Sequence, residues 1–103
     1  MTALLMLAFA CHAQQSYTLD DLQGAWWSDK NSPTADFAIN ADQVWLDSDA
    51  QYHPCVITDG NILVFELSRD SGNVEHKIIS LDITTLVLEN LITHQVTAYT
   101  RAE

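Results

Sequence analysis

The chain has 103 residues, with 14 acidic and four basic side chains and a formal net charge of −10. This length suits a single domain. The acidic balance argues strongly against nucleic-acid binding, which needs a basic surface, and it disfavours an anionic membrane surface. A cationic partner is compatible with the charge.

The N-terminal segment predicts a cleaved secretory signal over residues 1–13. It carries no Asp, Glu, Lys or Arg and ends in small residues before the polar Gln14. It is also too short to span a bilayer, which takes about 20 apolar residues, so we expect no transmembrane segment. We therefore expect an exported domain, periplasmic or secreted, over residues 14–103. Two alternatives stay open: a lipoprotein modified at Cys11, or a retained N-terminal segment.

After this segment, the chain is a series of short β-type runs separated by turn-forming residues. A short helical turn is predicted first, with Thr18 as its N-cap and Gly24 at its end. The runs that follow are rich in Val, Ile, Thr and aromatic residues, and Asp59-Gly60 is the strongest hairpin signal. Because the connections are short, we predict an all-β fold: an antiparallel up-and-down meander of about eight short strands in a closed or partly open barrel. The predicted strands are residues 25–28, 35–40, 43–47, 51–58, 62–68, 74–81, 85–89 and 95–101.

Alternation of apolar residues indicates which side chains face the barrel interior. The residues predicted to line a ligand cavity there are Phe37, Leu46, Phe65 and Ile79. Pro54 has no N–H to donate, so we expect an edge, a bulge or a bend at that position. An unpaired edge there would leave homodimerisation open.

The two ends of this region carry a pair of matching motifs. Leu22-Gln23-Gly24-Ala25-Trp26 near the start and Tyr99-Thr100-Arg101 at the end resemble small exported bacterial lipocalin-like domains. The resemblance implies a binding protein in which Gly24, Trp26 and Arg101 close the barrel floor. It places Arg101 across the Trp26 ring, a cation–π contact worth about 0.5–2 kcal/mol. The chain is shorter than a full lipocalin, which implies a small interior.

Residues capable of catalysis or metal binding are few and scattered. His53 and Cys55 face one side of a strand, but zinc needs three or four ligands, and nothing in the sequence brings another histidine to them. The acidic turns lack the loop pattern of a calcium site, and no nucleophile motif occurs. We therefore expect no metal, no cofactor and no catalytic residues.

Three aromatic residues are predicted to form a contact surface for a partner on the outside of the barrel: Trp27, Trp45 and Tyr52. Trp27 follows the inward Trp26 and so points outward. It is available to a partner unless the preceding segment covers the ring. The sequence thus favours a non-catalytic binding module for a small apolar or amphipathic molecule. The alternatives are an acidic inhibitor or immunity protein for a cationic exported enzyme, and an envelope-associated structural role.

Overall fold

The computed structural model describes residues 16–67 and 72–101. The predicted signal segment and Cys11 lie outside the described residues. A 3₁₀ helix (Leu19–Leu22) precedes eight antiparallel strands, which pair in chain order and close into a barrel when the last strand meets the first. The predicted all-β, up-and-down meander is therefore confirmed. The strands are β1 (Gly24–Trp27), β2 (Phe37–Asn40), β3 (Gln43–Leu46), β4 (Gln51–Thr58), β5 (Ile62–Glu66), β6 (Asn73–Leu81), β7 (Thr85–Asn90) and β8 (Val96–Arg101).

Local chemistry explains where the elements begin and end. Each strand lies within two residues of its predicted run. The Asp21 carboxylate accepts hydrogen bonds from the Thr18 N–H (2.9 Å) and hydroxyl (3.2 Å), which fixes the start of the 3₁₀ helix. Asp59 and Gly60 both have positive φ, 55° and 78°, as a tight turn with two left-handed residues requires. The predicted β4–β5 hairpin is confirmed.

The barrel has two different ends. One end, here called the closed end, carries the 3₁₀ helix and the short turns that follow β2, β4 and β6. Tyr17 ties this segment to the β4–β5 turn, since its N–H donates to the Gly60 carbonyl at 2.7 Å. The opposite end, here called the open end, carries the connections 28–36, 47–50 and 91–95. The helix therefore covers the closed end only.

The core fills the barrel interior with one apolar cluster. Its fully buried members at the closed end are Leu22 and Trp26, and it extends to Ile78 on β6. The prediction that Ile79 faces inward is wrong, because its side chain is 47% exposed. A register shift between Ile78 and Ser80 lets β6 keep Ile78 and, beyond the shift, Leu81 against the core. Ile79 is the residue that this bulge turns outward.

Pro54 marks a change of partner along β4. The strand pairs with β3 through residues 51–54 and with β5 through residues 55–58. Because the barrel is closed, Pro54 lies at a change of partner within β4 and not on a free edge strand. Among the described residues, no helix is long and apolar enough to cross a membrane.

Candidate functional site

Arg101 joins the end of β8 to β1 and to the 3₁₀ segment at the closed end. Its Cζ lies 4.3 Å from the centre of the buried Trp26 ring. Its guanidinium also donates to two backbone carbonyls of the 3₁₀ segment, from Nη1 to Gln23 (3.1 Å) and from Nη2 to Asp21 (3.2 Å). Gly24 has φ +116°, and a side chain there would approach the Arg101 stem at 3.4 Å. Gly24, Trp26 and Arg101 therefore lie together in the arrangement that the resemblance implies.

Gln23 makes a second set of stabilising contacts at the closed end, which sequence analysis missed. Its side-chain amide pairs with Ala41 as a strand residue would: Oε1 accepts from the Ala41 N–H at 2.7 Å, and Nε2 donates to the Ala41 carbonyl at 3.0 Å. Nε2 also donates to the Leu19 carbonyl at 2.9 Å. This amide holds the β2–β3 turn onto the 3₁₀ helix. The β2–β3 turn and the 3₁₀ helix are therefore tied together at the closed end.

Aromatic rings fill the interior towards the open end. The Phe37 ring packs edge-on against Phe65 (5.4 Å between centres) and against Tyr99 (5.0 Å), and Phe65 lies 4.9 Å from the His76 ring. Phe37 and Phe65 are thus core residues as predicted, and Leu46 packs against the same core. These contacts and the outward Ile79 mean that the four predicted residues do not enclose a common cavity.

A pocket lies beside this aromatic cluster, in the mouth of the barrel at the open end. We call it the mouth pocket; its volume is about 200 Å³. It is more enclosed than the other hollows described below. Inward-facing side chains of β6, β7 and β8 form its wall, and the β7–β8 connection forms its rim. The lining residues are His76, Leu88, Asn90, Thr93, Gln95, Thr97 and Tyr99.

Strand register arranges this lining in levels. At the outermost level His76 lies directly opposite Asn90, whose N–H donates to the Gln95 carbonyl at 2.9 Å. One level deeper, Leu88 lies opposite Thr97. Leu88 is 2% exposed and forms an apolar floor. The mouth pocket therefore offers neutral polar groups at its rim and an apolar surface below, which suits an amphipathic molecule.

Burial keeps the titratable groups of the mouth pocket uncharged. Desolvation lowers the pKa of His76 below its ordinary value of 6.5, and the Leu63 carbonyl opposes this only in part. Desolvation also raises the pKa of Tyr99, with a further contribution from the negative charge of Asp36 and a smaller opposing one from Thr97. At neutral pH the described lining residues consequently offer hydrogen-bonding groups without formal charge.

We expect His76 to make the domain less stable in acid. Because its folded-state pKa lies below 6.5, the unfolded chain binds the proton first as the pH falls through 6.5, and stability falls until the folded state is protonated too. Urea unfolding of the wild type and of His76→Gln at pH 5 to 8 measures this. The wild type should lose stability relative to the variant on acidification. If the stability of the wild type relative to His76→Gln stays constant or increases as the pH falls, the expectation is wrong.

The predicted outer aromatic residues are only partly brought together. Trp45 and Tyr52 lie directly opposite each other on β3 and β4, and Tyr52 is 56% exposed. Trp27 lies on β1, paired with Thr100 of β8, so β2 separates it from that pair. It lines a separate hollow of about 170 Å³ with Lys30, Thr100 and Arg101. A larger, acidic hollow of about 410 Å³ lies between the connections 28–36 and 47–50.

The residues first considered for metal or nucleophile chemistry have other roles. His53 Nε2 contacts the Asp49 carboxylate at 2.7 Å. Cys55 is buried, and desolvation, with smaller contributions from Asp42 and Glu66, raises the pKa of its thiol to about 11. It is therefore a thiol at neutral pH and a poor nucleophile. Across residues 16–67 and 72–101, no three His, Cys, Asp or Glu side chains are grouped as metal ligands.

Comparison with known proteins assigns no family to the chain. No protein-family model matches it, and no significant match was found among curated proteins or solved structures. The barrel and its mouth pocket therefore carry the functional inference.

Proposed function

We propose that this domain is an exported, lipocalin-like binding module that holds one small amphipathic molecule in its mouth pocket and has no catalytic activity. The observation that carries the proposal is the partly enclosed pocket in the barrel mouth, with a neutral polar rim and Leu88 at its floor. A volume of about 200 Å³ lies below the roughly 300–1,000 Å³ of pockets for drug-sized ligands. The ligand is therefore a small molecule or the end group of a larger one.

The asymmetry of the barrel supports the same function. Arg101, Trp26 and Gln23 tie the closed end, whereas the mouth pocket opens at the other end beside the connection 91–95. A rigid floor and an accessible mouth are what a binding barrel needs, because a preformed site loses less free energy on binding. The lipocalin-like assignment rests on this closure and on the two terminal motifs.

The proposal predicts that small uncharged fragments bind at the mouth pocket of the full chain. Titration with a fragment library, followed by ¹H–¹⁵N NMR, should shift the amide signals of Asn90, Thr97 and Tyr99 before those at the closed end. Thr97→Val removes a hydroxyl from the lining and should weaken the best fragment about fivefold to tenfold, as expected for one lost hydrogen bond.

Thr100→Val is the matched control, since Thr100 lies on the same strand with its exposed side chain on the outer face. It should leave fragment affinity unchanged. Shifts confined to residues outside the pocket, or equal effects of the two variants, would overturn the proposed site.

One observation favours a second candidate function, the binding of a cationic protein. The pair of the half-buried Trp45 and the exposed Tyr52 flanks the β3–β4 connection, which carries Asp47 and Asp49. An aromatic centre beside acidic residues suits a basic partner, because opposite charge accelerates the encounter. Tyr52→Ala discriminates the two functions, since Tyr52 does not line the mouth pocket. Under the first function this variant keeps fragment binding unchanged.

A further inference from the structure

The rim of the mouth pocket carries a hydrogen-bond donor of fixed orientation. The Asn90 side-chain carbonyl accepts the N–H groups of Ile92 (2.8 Å) and Thr93 (3.0 Å). These two bonds identify Oδ1 and fix the direction of the amide, because the nitrogen Nδ2 cannot accept a hydrogen bond. Within residues 16–67 and 72–101, Nδ2 has no hydrogen-bond partner, and Asn90 lines the mouth pocket.

The residue opposite Asn90 carries an acceptor of fixed tautomer. His76 Nδ1 contacts the Leu63 backbone carbonyl at 3.4 Å. A carbonyl only accepts, so Nδ1 carries the hydrogen and the neutral ring keeps an unprotonated Nε2. His76 and Asn90 are direct partners across β6 and β7, which places their Cβ atoms about 4.5–5.5 Å apart. The rim thus carries a donor and an acceptor on directly opposed residues.

From this pairing we propose that the mouth pocket recognises a small uncharged cyclic amide, a lactam or an imide, by its adjacent C=O and N–H. The ligand carbonyl accepts from Asn90 Nδ2, and the ligand N–H donates to His76 Nε2. The ring then lies on Leu88, beside the Tyr99 ring. The size and charge of the pocket fit this class, since it holds about 200 Å³ and its lining within residues 16–67 and 72–101 contains no Asp, Glu, Lys or Arg.

This inference rests on the proposed function, and a pair of probes tests it separately. 2-Pyridone carries the adjacent N–H and C=O, whereas N-methyl-2-pyridone has the same ring and carbonyl without the N–H. Both are titrated into the full chain and followed by ¹H–¹⁵N NMR. We expect 2-pyridone to bind at the mouth pocket with roughly tenfold higher affinity, the effect of leaving a polar group of the site unpaired.

A substitution of nearly identical shape tests the donor. Asn90→Asp keeps an oxygen for the Ile92 and Thr93 N–H groups but replaces the donor by an acceptor. It should lower 2-pyridone affinity at least tenfold. Asn40→Asp is the matched control, because it makes the same charge change at an exposed position at the closed end. It should change the affinity less than twofold.

The outcomes separate the two proposals. Equal affinity of the two pyridones, or an unchanged affinity in Asn90→Asp, overturns the cyclic-amide inference. If other fragments shift the mouth-pocket signals and 2-pyridone does not, this inference is wrong while the binding module stands. If no fragment shifts those signals, both proposals fail together.

Discussion

Replacing Trp26 by alanine is expected to destabilise the domain by about 3–5 kcal/mol, the usual cost of deleting a large buried aromatic side chain. Trp26 is 0% exposed. Its Nε1–H donates to the Leu22 carbonyl at 3.0 Å, and its face supports the Arg101 guanidinium. The substitution therefore opens a cavity, orphans a buried carbonyl and removes the stacking partner of a cation. Small domains have total stabilities of about 5–15 kcal/mol, so this single change approaches the whole.

The neighbouring tryptophan provides the control. Trp27→Ala deletes the same side chain one residue later, on the outer face of β1, where the ring is only partly buried. It should cost about 1 kcal/mol or less, as expected outside the core. Urea unfolding followed by far-ultraviolet circular dichroism measures both variants without relying on tryptophan fluorescence.

A milder substitution covers the case in which Trp26→Ala does not fold. Trp26→Phe keeps an aromatic face for Arg101 but loses ring volume and the N–H donor to Leu22. It should be destabilised by an intermediate amount. Equal costs for Trp26→Ala and Trp27→Ala would mean that the closed end does not depend on the buried ring.

Sequence reasoning predicted the strands and the closure because both depend on local or repeating signals. Apolar alternation and turn residues such as Asp59-Gly60 define the hairpins through short-range chemistry, and consecutive pairing then leaves few topologies. The Trp26–Arg101 contact joins the two ends of the fold, and no periodicity reveals it. The resemblance to lipocalin-like domains supplied that prediction.

The bulge in β6 shows where alternation fails. Ile78 and Ile79 are identical neighbours, so the pattern cannot tell which of them faces the core. Alternation counted backwards from Leu81 in steps of two residues places Ile79 on the inner face. The register shift between Ile78 and Ser80 reverses that choice, and such a shift depends on pairing with β7 and not on β6 alone.

The mouth pocket was missed because its lining is mostly polar. Hydrophobic patterning selects Phe37 and Phe65, which fill the interior next to the pocket, and it passes over inward polar side chains. The same twofold period does place Thr97 and Tyr99 on the face of Arg101, and it places Asn90 on the face of Leu88. Applying the same twofold period to polar residues would have identified Asn90, Thr97 and Tyr99 as inward-facing. The approach of the connection 91–95 is a tertiary feature that no local pattern encodes.

The largest functional effect is expected from Leu88→Phe, which should lower fragment affinity more than tenfold while leaving the domain folded. Leu88 is buried from solvent, yet it forms the floor of a pocket of about 200 Å³. The added ring atoms can enter that space without displacing core side chains. Its stability should therefore stay within about 1 kcal/mol of the wild type, since volume is added where volume is free.

Leu63→Phe is the matched control for this substitution. Leu63 is an interior leucine on β5 with 0% exposure, and it does not line the mouth pocket. Enlarging it overpacks a filled region and should cost about 1–3 kcal/mol. The two variants thus compare the same change in an open and in a packed part of one barrel.

Unfolding in urea and ¹H–¹⁵N NMR titration of both variants give the deciding pair of measurements. We expect Leu88→Phe to keep wild-type stability and to lower fragment affinity more than tenfold, and Leu63→Phe to lose stability while lowering the affinity much less. Equal destabilisation would mean that the interior at Leu88 is as tightly packed as at Leu63, and the mouth pocket would then not be a site. Retained affinity in Leu88→Phe would instead mean that the fragments do not occupy the space above Leu88.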